Sequence, residues 1–168
     1  MSKINEIIKQ EFKLRVVEES LNRIIKCLNQ LDEREIWYKH NDNTNSIGNL
    51  VVHLCGNIQQ YIISGLGKTR DTRKRAEEFT ENAFRSKEEL LKQISETLLR
   101  ANEIVEAFHP DLYTTNFTIQ GFQNTGLSVI IHVIEHLSYH VGQITYYTKW
   151  TKGMDLGYYE GQNLDITN

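Results

Sequence analysis

Residues 14–31 read LRVVEESLNRIIKCLNQL, and their apolar side chains indicate the class of fold. Six of them follow one another at steps of 3, 4, 3, 4 and 3 residues: Leu14, Val17, Leu21, Ile24, Leu28 and Leu31. Because an α-helix has about 3.6 residues per turn, this spacing places all six on one face. The sequence therefore predicts one long amphipathic helix over about residues 3–31, with a continuous apolar seam.

A second helical segment reads IGNLVVHLCGNIQQYIISGLG, residues 47–67. Ser46 precedes it as a candidate N-cap, and Gly65 and Gly67 are candidate end points. The stretch before it, 32–45, is mostly polar, and its short side chains compete for backbone hydrogen bonds. We expect a connection there and a helix after it.

Two more helices are predicted after this one. The third covers about residues 86–108, where Ser86 and Glu89 form a capping-box pattern and Pro110 stops the helix. The fourth covers about residues 125–150. No stretch alternates in the manner of a strand. Four amphipathic helices predict an all-α four-helix bundle.

The connection between the second and third helices is unusually long. It takes about 19 residues, 67–85, whereas antiparallel neighbours need only a few. A crossover linker of this length permits parallel second and third helices, and so an up-down-down-up bundle. The chain length of 168 residues predicts a single domain over 1–168.

Composition excludes several partners. The net charge of −3 comes without a basic stripe, so we expect no nucleic-acid binding. No apolar run approaches the ~20 residues of a membrane span, so we expect no membrane partner. Cys27 and Cys55 lie inside apolar helical patterns, which favours free thiols in the reducing cytoplasm. The basic run KTRDTRKR, residues 68–75, is expected to be a solvated loop.

Three of the six histidines lie in HVIEHLSYHVGQ, residues 132–143. His132, His136 and His140 are each four residues from the next, so neighbours share a helix face. Two such imidazoles can bind one metal ion. His132 and His140 are ~12 Å apart along the axis, too far to share an ion. Helix geometry leaves either adjacent pair possible.

A third ligand has to come from another helix. His40 and His109 lie in or beside connections, whereas His53 lies among apolar residues of the second helix. An inward imidazole needs partners for its nitrogens, and a shared metal ion would supply one. The alternative is a hydrogen-bonded core histidine without metal.

Two polar residues accompany these histidines. Gln143 follows His140 by three residues, and Asn57 follows His53 by four. Either one is expected to hydrogen-bond a metal ligand or to be an ordinary polar contact. Glu135 does not complete an HEXXH zinc-protease motif, since here the glutamate precedes a histidine. The sequence identifies no catalytic acid or base.

The segment HVIEHLSYHVGQI resembles the C-terminal helix motif of the DinB-like (DinB/YfiT-like) superfamily of metal-dependent helix-bundle enzymes. In that motif a histidine pair is followed by x-G-Q, which falls on His136, His140, Gly142 and Gln143. The third ligand of the superfamily matches His53 in SIGNLVVHLCGN. SIGNLVVHLCGNIQQYI, DTRKRAEEF and IQGF resemble a branch of this superfamily with no assigned function.

The resemblance implies a metal site and a bundle. The ligands would be His53, His136 and His140, the ion a divalent transition metal such as zinc or nickel, and the bundle up-down-down-up. It also implies a homodimer. His132 would then contact the ligands, line the pocket or be buried. Members of known activity include bacillithiol S-transferases and mycothiol-dependent maleylpyruvate isomerases, in which the ion is taken to bind a thiol or carbonyl.

We therefore expect a metal-dependent transferase or hydrolase with an unknown small-molecule substrate, and thiol S-transfer as one form of it. Arg70, Arg73 and Arg75 would contact an anionic group or stay solvated. Two alternatives stand beside it: a non-catalytic metal-binding module, and a protein-interaction bundle with core histidines.

Overall fold

The computed structural model describes residues 3–80 and 83–167. Its first element, α1, is one continuous helix over residues 3–30. It has three parts, of which the middle one has the wider turns of a π-helix: Lys3–Lys13, Leu14–Leu21 and Asn22–Gln30. The prediction of one long helix at this position is confirmed.

The π-helical part of α1 changes which side chains face the core. Val16 and Ser20 are buried there. Leu14 and Val17 are only half-buried, and Val17 packs against the core. The predicted seam is therefore correct from Val17 onward and wrong at Leu14, and Val16 and Ser20 are buried beside it.

Four further helices follow. Their bounds are: α2, Glu33–Trp37; α3, 47–66, made of Ile47–Ile58 and the π-helical Gln59–Leu66; α4, Lys87–Glu106; α5, Gly126–Lys152. The described connections include the 3₁₀ turns Arg75–Phe79 and Pro110–Tyr113. The three long helices lie where the sequence predicts them, whereas α2 is an addition within the first connection.

Side-chain caps fix where the long helices begin. The Ser46 hydroxyl accepts from the Asn49 backbone N–H, and Asn49 Oδ1 accepts from the Ser46 backbone N–H. Ser86 and Glu89 form the same reciprocal pair at the start of α4. Thr125 caps α5. Each cap satisfies backbone donors that a helix start leaves unpaired.

A β-hairpin occupies the connection before α5. Strands β1, Asn116–Ile119, and β2, Phe122–Thr125, pair antiparallel, with Ile119 opposite Phe122. Gln120 and Gly121 form the two-residue turn and both have positive φ, 52° and 80°. The expectation of no strand is wrong, because strands of four residues are too short to show alternation.

The four long helices enclose one core. α3 packs against α4 and α5, and α1 packs against the same two helices. Each contributes fully buried side chains, among them Leu28, Leu54, Leu98 and Leu137. The fold is thus all-helical apart from the hairpin, and the up-down-down-up order stays a prediction. None of the described helices is long and apolar enough to cross a membrane.

Candidate metal centre

Three histidines from two packed helices meet on one side of the core. His53 comes from α3, and His136 and His140 come from α5. The ring centroids lie 5.0 Å apart for His53 and His136, and 4.6 Å apart for His136 and His140. One nitrogen from each of the three rings lies within 4.8 Å of the other two. The fold thus brings together the three residues that the resemblance selects.

The closest approach is between two nitrogen atoms. His53 Nε2 lies 3.2 Å from His136 Nε2. A tetrahedral zinc ion with bonds of ~2.1 Å separates its ligand nitrogens by ~3.4 Å, so this distance suits two ligands of one ion. Within residues 3–80 and 83–167, His136 Nδ1 is buried without a hydrogen-bond partner. The donor set fits a divalent transition metal.

His53 is held from its other nitrogen by a buried ion pair. Its Nδ1 lies 2.8 Å from Glu78 Oε2, in the 3₁₀ turn of the linker. Arg73 donates to both oxygens of Glu78, from Nε at 2.6 Å and from Nη2 at 3.0 Å. The side chains of Arg73 and Glu78 are only 3% and 7% exposed.

The charge of Glu78 decides the tautomer of His53. Burial acts to raise the pKa of this carboxyl, but hydrogen bonds from His53 and Arg73 outweigh it, and the net pKa is lowered. Glu78 is therefore a carboxylate, and it accepts a hydrogen bond from the Nδ1–H group of His53. The Nε2 lone pair of His53 then faces the other two histidines.

The two α5 histidines are held in the neutral form that binds metal. Burial lowers the pKa of His136 to about 3, with further lowering by the neighbouring imidazoles. Burial also lowers the pKa of His140, against a hydrogen bond donated to Gln143 that raises it. Gln143 Oε1 lies 2.7 Å from His140 Nδ1. An amide oxygen only accepts, so Nδ1 carries the proton and Nε2 is free.

His132 lies one turn before His136 and outside the three-histidine group. Its ring stacks on His136 at 5.6 Å and packs against Tyr61 at 4.6 Å. Tyr61 donates from its hydroxyl to Gln120 Oε1, which places the hairpin turn beside this end of the stripe. Asn57 is buried, and its Oδ1 atom accepts no hydrogen bond from the described part of the chain.

The basic run of the linker, residues 68–75, is only partly the solvated loop that the sequence predicts. Arg70 and Arg75 are exposed, as expected of a solvated loop. The expectation is wrong for Arg73, whose guanidinium is buried against Glu78. The sequence analysis names Arg73 only as a contact for an anionic group or as a solvated residue, and it does not single out Glu78 within DTRKRAEEF. Residues five apart in a loop follow no period, so spacing does not predict the pair.

An aromatic groove includes Gln143, the hydrogen-bond partner of His140. A cavity of about 350 Å³ is lined by Gln143 and by residues of the first connection, α3 and α5: Tyr38, His40, Asn43, Thr44, Asn45, Ile47, Leu50, Tyr146, Tyr147 and Trp150. A second cavity of about 440 Å³ shares Tyr38, Tyr147 and Trp150 with it. Gln143 connects the groove to His140.

Two crystal structures of DinB-like proteins resemble this chain. YjoA from Bacillus subtilis has a TM-score of 0.65 and 15% identity, over 88% of this chain and 93% of that one. A protein from Bacillus cereus has a TM-score of 0.64 and 16% identity, over 83% of this chain and 89% of that one. At such identities the likeness shows a shared fold. No curated protein matches the sequence.

A family model matches residues 7–158, a span that includes His53, His136 and His140. Its description is "Protein of unknown function (DUF1572)". The structural relatives show that the chain has the fold of DinB-like proteins, which is the fold that the resemblance predicts. The chain belongs to the DUF1572 family of proteins of unknown function, and its fold is that of DinB-like proteins.

Proposed function

We propose that this protein is a metal-dependent enzyme of the transferase or hydrolase type, with zinc or nickel held by His53, His136 and His140. One observation carries the proposal: donor nitrogens from two helices converge within 4.8 Å of one another. Two of the rings have their remaining nitrogen engaged, His53 by Glu78 and His140 by Gln143. Such partners are typical of metal-binding histidines.

The number of ligands favours catalysis over a structural role. Among the described residues, no fourth histidine, cysteine, aspartate or glutamate joins the group. Structural zinc sites usually have four protein ligands, whereas catalytic sites have three and an open position. A divalent ion held by neutral imidazoles would lower the pKa of a water or thiol bound to it to near neutrality.

The substrate would lie in the aromatic groove beside Gln143. A cavity of about 350 Å³ is in the range of small-molecule sites. Its lining is aromatic and amide-rich, which suits an organic molecule with an apolar body and hydrogen-bonding groups. Thiol S-transfer is the finer form of the proposal and rests on the superfamily resemblance. Arg73 is already paired, so an anionic group would have to meet Arg70 or Arg75.

Metal content tests the proposal directly. We expect mass spectrometry of untagged protein to find about one transition-metal ion per chain, and none in His136→Ala. His109→Ala is the matched control, because His109 is exposed and outside the cluster. Absence of metal from wild type after reconstitution would overturn the site.

Activity is tested next, on a panel of thiol, ester and amide substrates. Turnover by the loaded protein that His136→Ala lacks supports an enzyme. A loaded protein inactive on the whole panel would leave a metal-binding module, and the catalytic part of the proposal would fail.

A further inference from the structure

We propose that Gly56, Arg73 and Glu78 form a brace that positions the ring of His53 for metal binding. The brace joins the linker before α4 to one face of α3. This inference rests on the proposed metal site, and it concerns positioning residues that do not touch the ion themselves. Three features carry it: a glycine at the contact, a compensated buried charge, and hydrogen bonds that attach the linker to α3.

Gly56 makes room for the carboxylate. It lies three residues after His53, on the same side of α3. A Cβ atom built at Gly56 would clash with Glu78 Oε1 and would lie 3.0 Å from Arg73 Nε. The ion pair therefore packs directly on the helix backbone. Any side chain at position 56 requires the Glu78 carboxylate, which also contacts His53, to shift.

The charges of the brace are balanced within it. The Glu78 carboxylate accepts two hydrogen bonds from Arg73 and one from His53. A buried carboxylate needs such compensation, since desolvation otherwise favours its neutral form. Glu78 Oε2 lies 2.8 Å from His53 Nδ1 and accepts a hydrogen bond from it. The nitrogen that faces the other histidines is thereby kept free for metal.

The linker is attached to α3 on both sides of this contact. Gln60 Oε1 accepts from Arg73 Nη1 at 2.9 Å, and Gln60 Nε2 donates to Asp71 at 2.7 Å. Asn49 Nδ2 donates to the backbone carbonyl of Glu78 at 3.0 Å. On α3 the contacting positions are 49, 53, 56 and 60, at steps of 4, 3 and 4. These four positions lie on one face of α3, so the same face contacts the linker and carries the metal ligand.

The decisive variant is Gly56→Ala, because it changes no charge and no hydrogen-bonding side chain. Gly142→Ala is its matched control: Gly142 also lies inside a long helix, and a Cβ there meets nothing within 4 Å. Helix propensity alone predicts that both substitutions stabilise the protein. The brace predicts instead that Gly56→Ala destabilises the protein, whereas Gly142→Ala stabilises it.

The measurements are the Kd for Zn²⁺, by competition with a chromogenic chelator, and the Tm of metal-free protein. We expect Gly56→Ala to raise the Kd about 10–100-fold and to lower the Tm. Gly142→Ala should raise the Tm by about 2–4 °C, and His109→Ala, outside the cluster, should leave the Kd unchanged. Glu78→Gln, which keeps the shape and loses the charge, should also raise the Kd.

Each other outcome decides against the brace. Gly56→Ala with wild-type Kd and a raised Tm would mean that the linker does not pack as described. A lowered Tm with wild-type Kd would make the contact structural only. If wild type binds no Zn²⁺, the proposed function fails by itself, and a Tm raised by Gly56→Ala would then overturn the brace independently.

Discussion

The Nε2 atoms of His53 and His136 lie 3.2 Å apart, although the two residues are 83 positions apart in the chain. Glu78 accepts a hydrogen bond from the Nδ1–H group of His53, so the Nε2 lone pair of His53 faces the other ring. Two facing lone pairs repel unless a proton or a cation lies between them. A metal ion at this point would link α3 to α5 and should therefore stabilise the fold.

Zinc binding should raise thermal stability. At a free Zn²⁺ concentration of about 100 times the Kd, mass action adds roughly 2.7 kcal/mol to the free energy of unfolding. For a domain of this size the Tm should rise by roughly 5–10 °C. The rise should vanish in His53→Ala and persist in His109→Ala, as measured by calorimetry. An equal rise in His53→Ala would place the ion elsewhere.

Gln143 should affect metal affinity without affecting the fold. Its Oε1 atom fixes the proton of His140 on Nδ1, and its side chain is exposed. We expect Gln143→Ala to weaken Zn²⁺ binding about 10-fold or more at unchanged Tm. Gln93→Ala, on α4 and outside the cluster, is the control for chelator competition. Wild-type affinity in Gln143→Ala would show that the hydrogen bond does not orient the ligand.

The candidate metal-binding histidines could be identified from the sequence because the evidence for them lies in short stretches of the chain. Spacing of four puts His136 and His140 side by side on any helix, and an apolar setting turns His53 inward. Spacing alone left His132 with His136 equally possible, and the resemblance made the choice. The buried role of Arg73 could not be predicted in this way. Its role depends on how a non-helical linker folds back on α3, and no periodic pattern describes that path.

The same distinction explains the fold. Each long helix repeats the same apolar spacing over many turns, and two of them begin at the N-caps Ser46 and Ser86. Their bounds could therefore be predicted from the sequence. The hairpin at 116–125 has too few residues for a period to appear. Val16 and Ser20, which are buried beside the predicted seam of α1, lie in its π-helical part, and the sequence pattern does not predict that part.

Alkaline pH should destabilise the protein through Cys55. Burial raises the pKa of this thiol to about 12 from an ordinary value of 9.0. The folded state therefore keeps its proton where the unfolded state loses it, and the free energy of unfolding falls as pH rises from 9 toward 12. This one group should remove roughly 2–3 kcal/mol by about pH 11.

Denaturant unfolding of wild type and Cys55→Ala at several pH values measures this loss. The variant will be less stable at pH 7, because it leaves a gap in the core, but its stability should decline less above pH 9. Parallel pH profiles for the two proteins would assign the alkaline loss to the buried tyrosines instead.

The cap at Ser46 should matter more than the cap at Ser86. Ser46 is 1% exposed, and its partner Asn49 also donates to Glu78, so the cap supports the linker as well as α3. We expect Ser46→Ala to cost about 1–2 kcal/mol and Ser86→Ala about 1 kcal/mol or less in urea unfolding. Equal losses would mean that burial adds nothing to the first cap.

The aromatic groove should bind apolar small molecules next to the metal site, and Trp150 can report it. Trp150 is 62% exposed and lines both cavities, while the only other tryptophan is Trp37. In a Trp37→Phe background, the emission of Trp150 should shift to the blue as the neutral probe N-phenyl-1-naphthylamine displaces water from the groove.

Two controls give that titration its meaning. The fluorescence of the probe itself should rise when it binds in the groove, and Trp150→Gln should abolish this rise. Ile131→Gln should leave it unchanged, because Ile131 is similarly exposed on α5 but lies outside both cavities. If the groove is the substrate site, loading with paramagnetic Co²⁺ should broaden the NMR signals of the bound probe. Binding without broadening would separate the groove from the metal centre and leave the substrate to be sought on the His132 side.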